Sequence, residues 1–389
     1  MKKIKKNIFI ITGSRAEYDL LKNLIFCIKD SKKMSPKIIV TGQHISKKYG
    51  NTFKDANKDF KGICKFIDVN VGSTNSKSIL NTIGIGVKKI GKFLENKKPD
   101  MIILLGDRYE IFSAAIASLY NKSIIIHIQG GEITAGSFDD VIRHSITKLS
   151  DYHFVSTEIY KKRVIQLGEN PKRVFNVGSL GAENVKKIKL INKSDLANKL
   201  KIKFNKYNFL ITVNSFIDDD LNIKNYMSNI FSALKKFKNT NFIFTMPNSD
   251  LKSDIINKEI LKFSKKNKNS YCFKSLGSQN YLSIMKISDV VIGNSSSGIL
   301  EAPSMKIPTV NIGNRQKGRV QSKTIINCNP LADAIYKSIN KCLTKKFIKK
   351  VQLSSNPYYK KNTAINIKKI IENKIINQKK EFKIFYDIK

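Results

Sequence analysis

Apolar residues arrive along this chain in short unbroken runs, with helical patterns between them. Runs of strand length lie at Asn7–Thr12, Lys37–Thr41, Asp100–Leu105, Ser123–Ile128, Tyr152–Val155 and Arg173–Val177. Helical patterns lie between, at Glu17–Lys29, Tyr109–Tyr120 and Asp140–Ser150 among others. Such alternation predicts a parallel sheet with helices on both faces. The pattern pauses at 186–207, where the chain turns polar and rich in Lys and Asn, and that stretch reads as a linker. It resumes with strands at Phe209–Val213, Asn241–Thr245, Ser270–Phe273, Asp289–Ile292, Thr309–Ile312 and Thr324–Asn327, and a last helix spans Ala364–Gln378.

The expected architecture is therefore α/β, with two doubly wound domains at 1–185 and 208–360 and a C-terminal helix and tail at 361–389. A chain of 389 residues is too long for one ordinary core, and 41% hydrophobic residues are enough to build two. The five cysteines are scattered and never spaced C-x-x-C, which argues for a reducing, cytoplasmic setting over a disulfide framework or a structural zinc. The apolar run Ile8–Ile11 is too short for a signal segment or a membrane span and reads as a first buried strand.

A formal charge of +41 points first to nucleic acid or a membrane. The cations, however, are almost all Lys, and they travel with Asn and Ile along the whole length, as drift toward A/T-rich codons would produce. Readers of phosphate and bases cluster Arg among aromatic residues. Neither a nucleic-acid nor a membrane partner is expected, and the few Arg become informative by position.

In open parallel sheets, ligands bind beyond the carboxyl ends of the strands. Gly13-Ser14-Arg15-Ala16-Glu17 follows the first strand and opens a helix, a turn whose N–H groups and Arg15 suit a phosphate. It lacks the spacing of a dinucleotide fingerprint. Gly106-Asp107-Arg108-Tyr109-Glu110 follows a fully apolar strand, and Asp107 fits either a general base or a helix N-cap. His127-Ile128-Gln129-Gly130-Gly131-Glu132 ends the next strand, and Asp139, Asp140, Arg143 and His144 follow. Here the double Gly allows close ligand approach or an unusual backbone, one of the two Asp suits the helix N-cap, and Asp140 and His144 share a helix face. Gly293-Asn294-Ser295-Ser296-Ser297-Gly298 opens a helix containing Glu301, with Pro303 shortening or kinking it. Small residues and hydroxyls there suit a diphosphate, and Glu301 suits ribose hydroxyls. Gly313 to Arg319 then places Arg315 and Arg319 on one loop. No metal-ligand spacing occurs, so neither metal nor nicotinamide is expected.

Taken in order, G-S-R-A-E-Y, T-G-x-H with Y-G-N-T at Thr41–Thr52, G-D-R-Y-E, H-I-x-G-G-E, I-R-H-S-I-T-K, V-G-S-L-G-A-E-N, G-N-S-S-S-G and N-I-G-x-R-Q-K-G-R resemble the hydrolysing UDP-N-acetylglucosamine 2-epimerases, in the bacterial branch that starts sialic-acid synthesis. The likeness covers nearly the whole chain. It implies two Rossmann-like domains facing across a cleft in the GT-B-like manner, with the last helix crossing back to the first. It implies elimination of UDP to a 2-acetamidoglucal, then hydration to N-acetylmannosamine, with no cofactor. By resemblance Arg15, Ser295, Ser296 and Arg315 bind the diphosphate, with Gly298 and Arg319 beside them, and Glu301 binds the ribose. Asp107, Glu132, Asp139 and Asp140 lie at the reacting carbons, and Glu17, His44, Gln129 and His144 line the site. A homo-oligomer is expected.

Two departures stand out: Gln129 sits where many members carry Glu or His, and Thr212-Val213-Asn214-Ser215 lacks a His–Pro segment usual in the family. Three other functions fit parts of the pattern. They are the same reaction on a UDP-2,4-diacetamido-2,4,6-trideoxyhexose, a glycosyltransferase of the same architecture, and a non-catalytic sugar-nucleotide binder.

Overall fold

The computed structural model describes residues 4–46, 51–72, 75–135, 137–215, 222–247 and 252–388. The chain divides into two compact units, one of 1–132, 138–184 and 358–389, the other of 133–137 and 185–357. Tyr49 and Gly50 of the Thr41–Thr52 motif lie outside the described residues.

The first unit holds β1 (Lys6–Thr12), β2 (Met34–Val40), β3 (Cys64–Phe66), β4 (Met101–Leu105), β5 (Ile124–Ile128), β6 (Tyr152–Val155) and β7 (Val174–Asn176). They form one parallel sheet in the order β3-β2-β1-β4-β5-β6-β7. The second unit holds β8 (Tyr207–Thr212), β9 (Thr240–Thr245), β10 (Ser270–Phe273), β11 (Val290–Gly293), β12 (Thr309–Ile312) and β13 (Ile325–Cys328). Their order is β10-β9-β8-β11-β12-β13, again parallel.

The apolar runs have a direct cause: each central strand is covered on both faces. Ile8 and Ile10 join Ile103 and Ile126 in one core, while Phe9 and Ile11 join Ile102, Leu104 and Ile125 in the other. Each such side chain contributes about 2 kcal/mol on burial, and Ile8–Ile11 and Met101–Leu105 carry no polar residue. β3 escaped prediction because it is a three-residue edge strand without a buried position.

The expected linker at 186–207 is not one. It contains the helix Lys193–Leu200, capped by Asn192, and Leu196 and Ile202 are buried in the second unit's core. Surface Lys and Asn masked the two apolar anchors that tie this segment down.

The C-terminal helix Thr363–Ile370 widens into a π turn at Ile371–Ile375, and Ala364, Ile367, Ile371 and Ile375 enter the first unit's core. Beyond it the tail is irregular but anchored. Lys380 Nζ lies 2.6 Å from Asp151, and Lys383 Nζ donates to Glu169 Oε1 at 2.7 Å and to the carbonyls of Lys148 at 2.8 Å and Ser150 at 2.7 Å. Glu169 also accepts from Lys148 at 2.9 Å and pairs with His153 at 2.9 Å. Among the described residues no helix is long and apolar enough to cross a membrane.

In each sheet the chain leaves the first strand formed (β1 or β8) one way and later returns on its other side (β4 or β11). Loops diverge at that switch point and leave a crevice. The loops there begin at Gly13 and Gly106 in one unit and at Val213 and Asn294 in the other. They carry the Gly13–Glu17, Gly106–Glu110 and Asn294–Gly298 motifs, and the others follow neighbouring strands.

Burial raises the Glu169 carboxyl, but the His153 contact and the Lys383 charge outweigh it and hold the group at about 2. Burial also keeps His153 below its ordinary value, so at neutral pH the lysines supply the positive charge. A carboxyl lowered in the folded state stabilises above its unfolded value near 4.5, and that gain is lost as pH falls toward 2. Glu169→Gln leaves the largely covered Lys383 without its carboxylate and is expected to cost about 3 kcal/mol at pH 6. The gap in melting temperature to wild type should shrink as pH drops through 4.5 toward 2. A gap that does not change with pH would contradict this account.

Candidate active site

At the end of β1 the turn folds onto itself. Ser14 caps the helix Arg15–Lys29, and Glu17 answers in a capping box. Glu17 Oε2 accepts from the N–H of Gly13 at 2.7 Å and of Ser14 at 3.2 Å. The amides expected to meet a phosphate are therefore already used, and buried Glu17 braces this turn through Oε2. Arg15 stays partly exposed, 3.8 Å from Asp19 and 3.5 Å from Asp55.

His44 also departs from expectation. It is fully buried, with Nε2 3.1 Å from Thr12 Oγ1 and Nδ1 2.8 Å from Thr52 Oγ1. Burial lowers it to about 4. It ties three segments together as a neutral ring, so a role lining the sugar does not fit.

Beyond β4 the helix Tyr109–Tyr120 has Arg108, not Asp107, at its N-cap. Asp107 instead receives a charge-assisted hydrogen bond from Arg143 Nη2. Arg143 is buried. Its Nη1 donates to the Glu132 carbonyl at 2.9 Å and lies 3.7 Å from Asp140 Oδ1. Arg143 was absent from the expected site residues, although its position four after Asp139 in an Arg-poor chain was the available signal. Arg108 forms a buried two-pronged pair with Glu110, at 3.2 and 3.1 Å. His127, lowered to about 3 by burial, bonds the Gly106 carbonyl at 2.7 Å and Thr147 Oγ1 at 3.1 Å. It thereby joins the loop that carries Asp107 to the helix Phe138–Leu149.

That helix begins at Phe138, so Asp139 and Asp140 lie in its first turn and neither is the N-cap. Acidic groups there meet the positive end of the helix dipole. His144 Nε2 is 3.6 Å from Asp140 Oδ2. Burial first, then Arg143 and Arg163, lower this imidazole against the pull of Asp140, so it is neutral at pH 7. Glu132 is buried and accepts from Ser156 at 3.1 Å. The double Gly serves the protein's own packing. Gly131 has φ +78°, and a Cβ there would sit 2.6 Å from the Tyr160 carbonyl. Three buried polar atoms lack a partner here: Glu17 Oε1, Gln129 Nε2 and His144 Nδ1. Such atoms are costly unless a ligand or water satisfies them.

In the second unit, Pro303 divides the expected helix into Ser297–Leu300 and Ala302–Met305, with Glu301 between them. Four residues make little dipole, so an anion here depends on Ser295, Ser296 and Arg315. Ser295 Oγ accepts from the Ser297 N–H at 3.3 Å. Arg315 Nη1 donates to the Asn294 carbonyl at 3.3 Å. Packing alone already requires Gly298: a Cβ on it would sit 2.7 Å from Thr309 Cγ2. Arg319 also departs from its expected role. Its Nε donates to the Ile133 carbonyl at 2.8 Å and its Nη2 to Thr134 Oγ1 at 3.1 Å, which fastens segment 133–137 within this unit.

Comparison with known proteins agrees with this arrangement of sheets and loops. The family model described as UDP-N-acetylglucosamine 2-epimerase matches residues 27–372. The polysialic acid biosynthesis protein P7 of Escherichia coli is 43% identical, over 98% of each chain. The GDP/UDP-N,N'-diacetylbacillosamine 2-epimerase (hydrolyzing) of Campylobacter jejuni is 44% identical, over 83% of this chain and 84% of that one. Among solved structures, the UDP-GlcNAc 2-epimerase of Neisseria meningitidis bound to UDP-GlcNAc superposes with a TM-score of 0.79 at 19% identity, covering 94% of this chain and 100% of that one. The fold is thus that of the nucleotide-sugar 2-epimerases. The chain belongs to the UDP-N-acetylglucosamine 2-epimerase family, and its relatives support a UDP-sugar 2-epimerase activity.

Glu17 gives a pH test of this geometry. Burial first, and then Glu110 against the opposing Arg108, raise it from 4.5 to about 8. A carboxyl raised in the folded state stabilises below 4.5, and that contribution disappears as pH rises through about 8. Glu17→Gln, which keeps an acceptor for Gly13 and Ser14, should make stability flatter between pH 5 and 8 than in wild type. Parallel melting curves for the two proteins over that range would refute it.

Proposed function

We propose that this chain is a hydrolysing 2-epimerase, converting UDP-N-acetylglucosamine to UDP and N-acetylmannosamine. The observation that carries the reading is the Asp107–Arg143 pair at the end of β4, with Asp139, Asp140 and neutral His144 on the adjoining helix. Family membership and the near-complete match to a relative named for polysialic acid biosynthesis support the choice of sugar and pathway.

The C2 proton of the sugar has no neighbouring carbonyl, so its removal alone is very slow. Coupling it to loss of UDP solves the problem. A carboxylate takes the C2 proton, the C1–O bond breaks with its electron pair going to UDP, and C1=C2 forms. Water then adds its oxygen at C1 and a proton at C2 on the opposite face. Asp107 is the proposed base, oriented by Arg143, and the Asp139/Asp140 pair serves the return proton and the water. Ser295, Ser296 and Arg315 hold the diphosphate, and Glu301 the ribose. Gln129 cannot exchange protons, so it enters only as a hydrogen-bond partner. Metal and nicotinamide have no step in this scheme.

Proton NMR in deuterated water, with UDP-N-acetylglucosamine and no acceptor, tests the reading. N-acetylmannosamine with one deuterium at C2, plus free UDP, is expected. Accumulation of an epimerised UDP-sugar without UDP release would make the enzyme non-hydrolysing. Turnover only of a UDP-2,4-diacetamido sugar would move the substrate to that of the Campylobacter relative.

Asp107→Asn should lower turnover about 100-fold or more and stop C2 exchange. An N-cap Asp would tolerate this change without loss of stability, because Asn caps as well as Asp. The ion pair alters that expectation: some melting temperature is lost as well, since Arg143 is buried. Exchange at C2, measured on folded protein, is therefore the deciding readout, and wild-type exchange would remove Asp107 from the chemistry.

A further inference from the structure

The loops that follow β8, β11 and β12 meet at one buried residue, Asn294, through its side chain and its backbone. Its Oδ1 accepts from the Asn214 N–H at 2.7 Å and its Nδ2 donates to the Asn214 carbonyl at 2.8 Å. Its own N–H donates to the Thr212 carbonyl at 3.2 Å. Its carbonyl accepts from Gln316 Nε2 at 2.8 Å and from Arg315 Nη1 at 3.3 Å. Gln316 is fully buried. One residue thus contacts all three loops, and it immediately precedes Ser295 and Ser296.

The backbone is shaped to allow this. Gly293 has φ +131°, and a Cβ on it would lie 2.0 Å from the Thr212 carbonyl. Only glycine lets β11 pass so near the end of β8, and that passage brings Asn294 opposite Asn214. Tyr226 pins the third loop by donating to the Ile312 carbonyl at 3.0 Å.

We propose that Asn294 is a positioning residue that locks these three loops together and fixes Arg315 and the Ser295–Ser296 pair for a nucleoside diphosphate. The proposal rests on the functional reading above. Asn suits the place chemically, because Asn214 presents one donor and one acceptor and a primary amide answers both. Asp has the same shape but no donor, so its carboxylate would face the Asn214 carbonyl. Every member of the lock except Arg315 is neutral, so the frame holds its shape across pH.

Calorimetric titration with UDP tests this on wild type, Asn294→Asp, Arg315→Ala and the double variant. Loss of one or two hydrogen bonds predicts UDP binding about tenfold weaker for Asn294→Asp. If Asn294 acts through Arg315, the two losses overlap, and the double variant binds no more than about threefold worse than the weaker single one. KM for the UDP-sugar should rise more than kcat falls. Folded Asn294→Asp that binds UDP within about twofold of wild type, or losses that multiply fully, would overturn the proposal. If Asn294→Asp does not fold, Gln316→Met removes only the donor to the Asn294 carbonyl, and unchanged UDP affinity there overturns it too. A wild type that fails to bind UDP would instead bring down the functional reading, and this inference with it.

Discussion

The guanidinium of Arg143 is where the chemistry of the first unit is held together. It takes the Asp107 carboxylate after β4, the Glu132 carbonyl after β5, and faces Asp140 one turn earlier on its own helix. A buried cation is costly unless its charge and donors are answered, and here the answers come from three different segments. None of the three can move without unsatisfying Arg143. The same demand orients Asp107: a carboxylate at a strand end would otherwise rotate freely or cap the next helix. His127 reinforces the link from beneath, with one nitrogen on the Gly106 carbonyl and the other on Thr147 of the Arg143 helix.

This dependence explains why several acidic and basic residues of the motifs turn out to be braces. Glu17 satisfies two turn amides, Glu110 answers Arg108, Glu132 meets Ser156, and Arg319 holds the 133–134 backbone. Each one immobilises a loop that bears a smaller number of exposed groups. A reaction that breaks a C–H bond needs its base held to within a fraction of an ångström. Spending charged residues on loop rigidity is one way to achieve that in a unit whose surface is otherwise dominated by mobile Lys.

The sheets were legible because burial on both faces leaves a continuous apolar trace, as in Met101–Leu105 and Ile8–Ile11. β3 leaves no such trace, and the segment at 186–207 hides Leu196 and Ile202 among Lys and Asn. The loops bearing the site were legible from their Gly, Ser, Asp and scarce Arg after those strands. What each side chain does there was not, because its partner is distant in sequence. His44 looks like a ligand until Thr12 and Thr52 are seen on its two nitrogens. Asp107 looks like an N-cap until Arg143, thirty-six residues on, claims it. Local pattern locates a polar residue at a strand end, and only the folded chain decides whether its charge is spent on the protein or left for a ligand.

The two units stabilise their strand-end loops by opposite means. The first uses charge: carboxylates against guanidiniums, with His144 lowered and Glu17 raised by burial. The second uses neutral amides, with Asn294, Asn214 and Gln316 forming the frame and Arg315 the cation it directs. An amide frame does not titrate, and a guanidinium stays charged at any working pH. A charged frame does titrate: Glu17 interacts with Arg108 and Glu110, and His144 with Asp140 and Arg143. Under the proposed division of labour, nucleotide binding falls to the frame that ignores pH and proton transfer to the one that responds to it. That separation fits the task, because a diphosphate must be held whatever the protonation of the base, while the base must pass between its two states in every turnover.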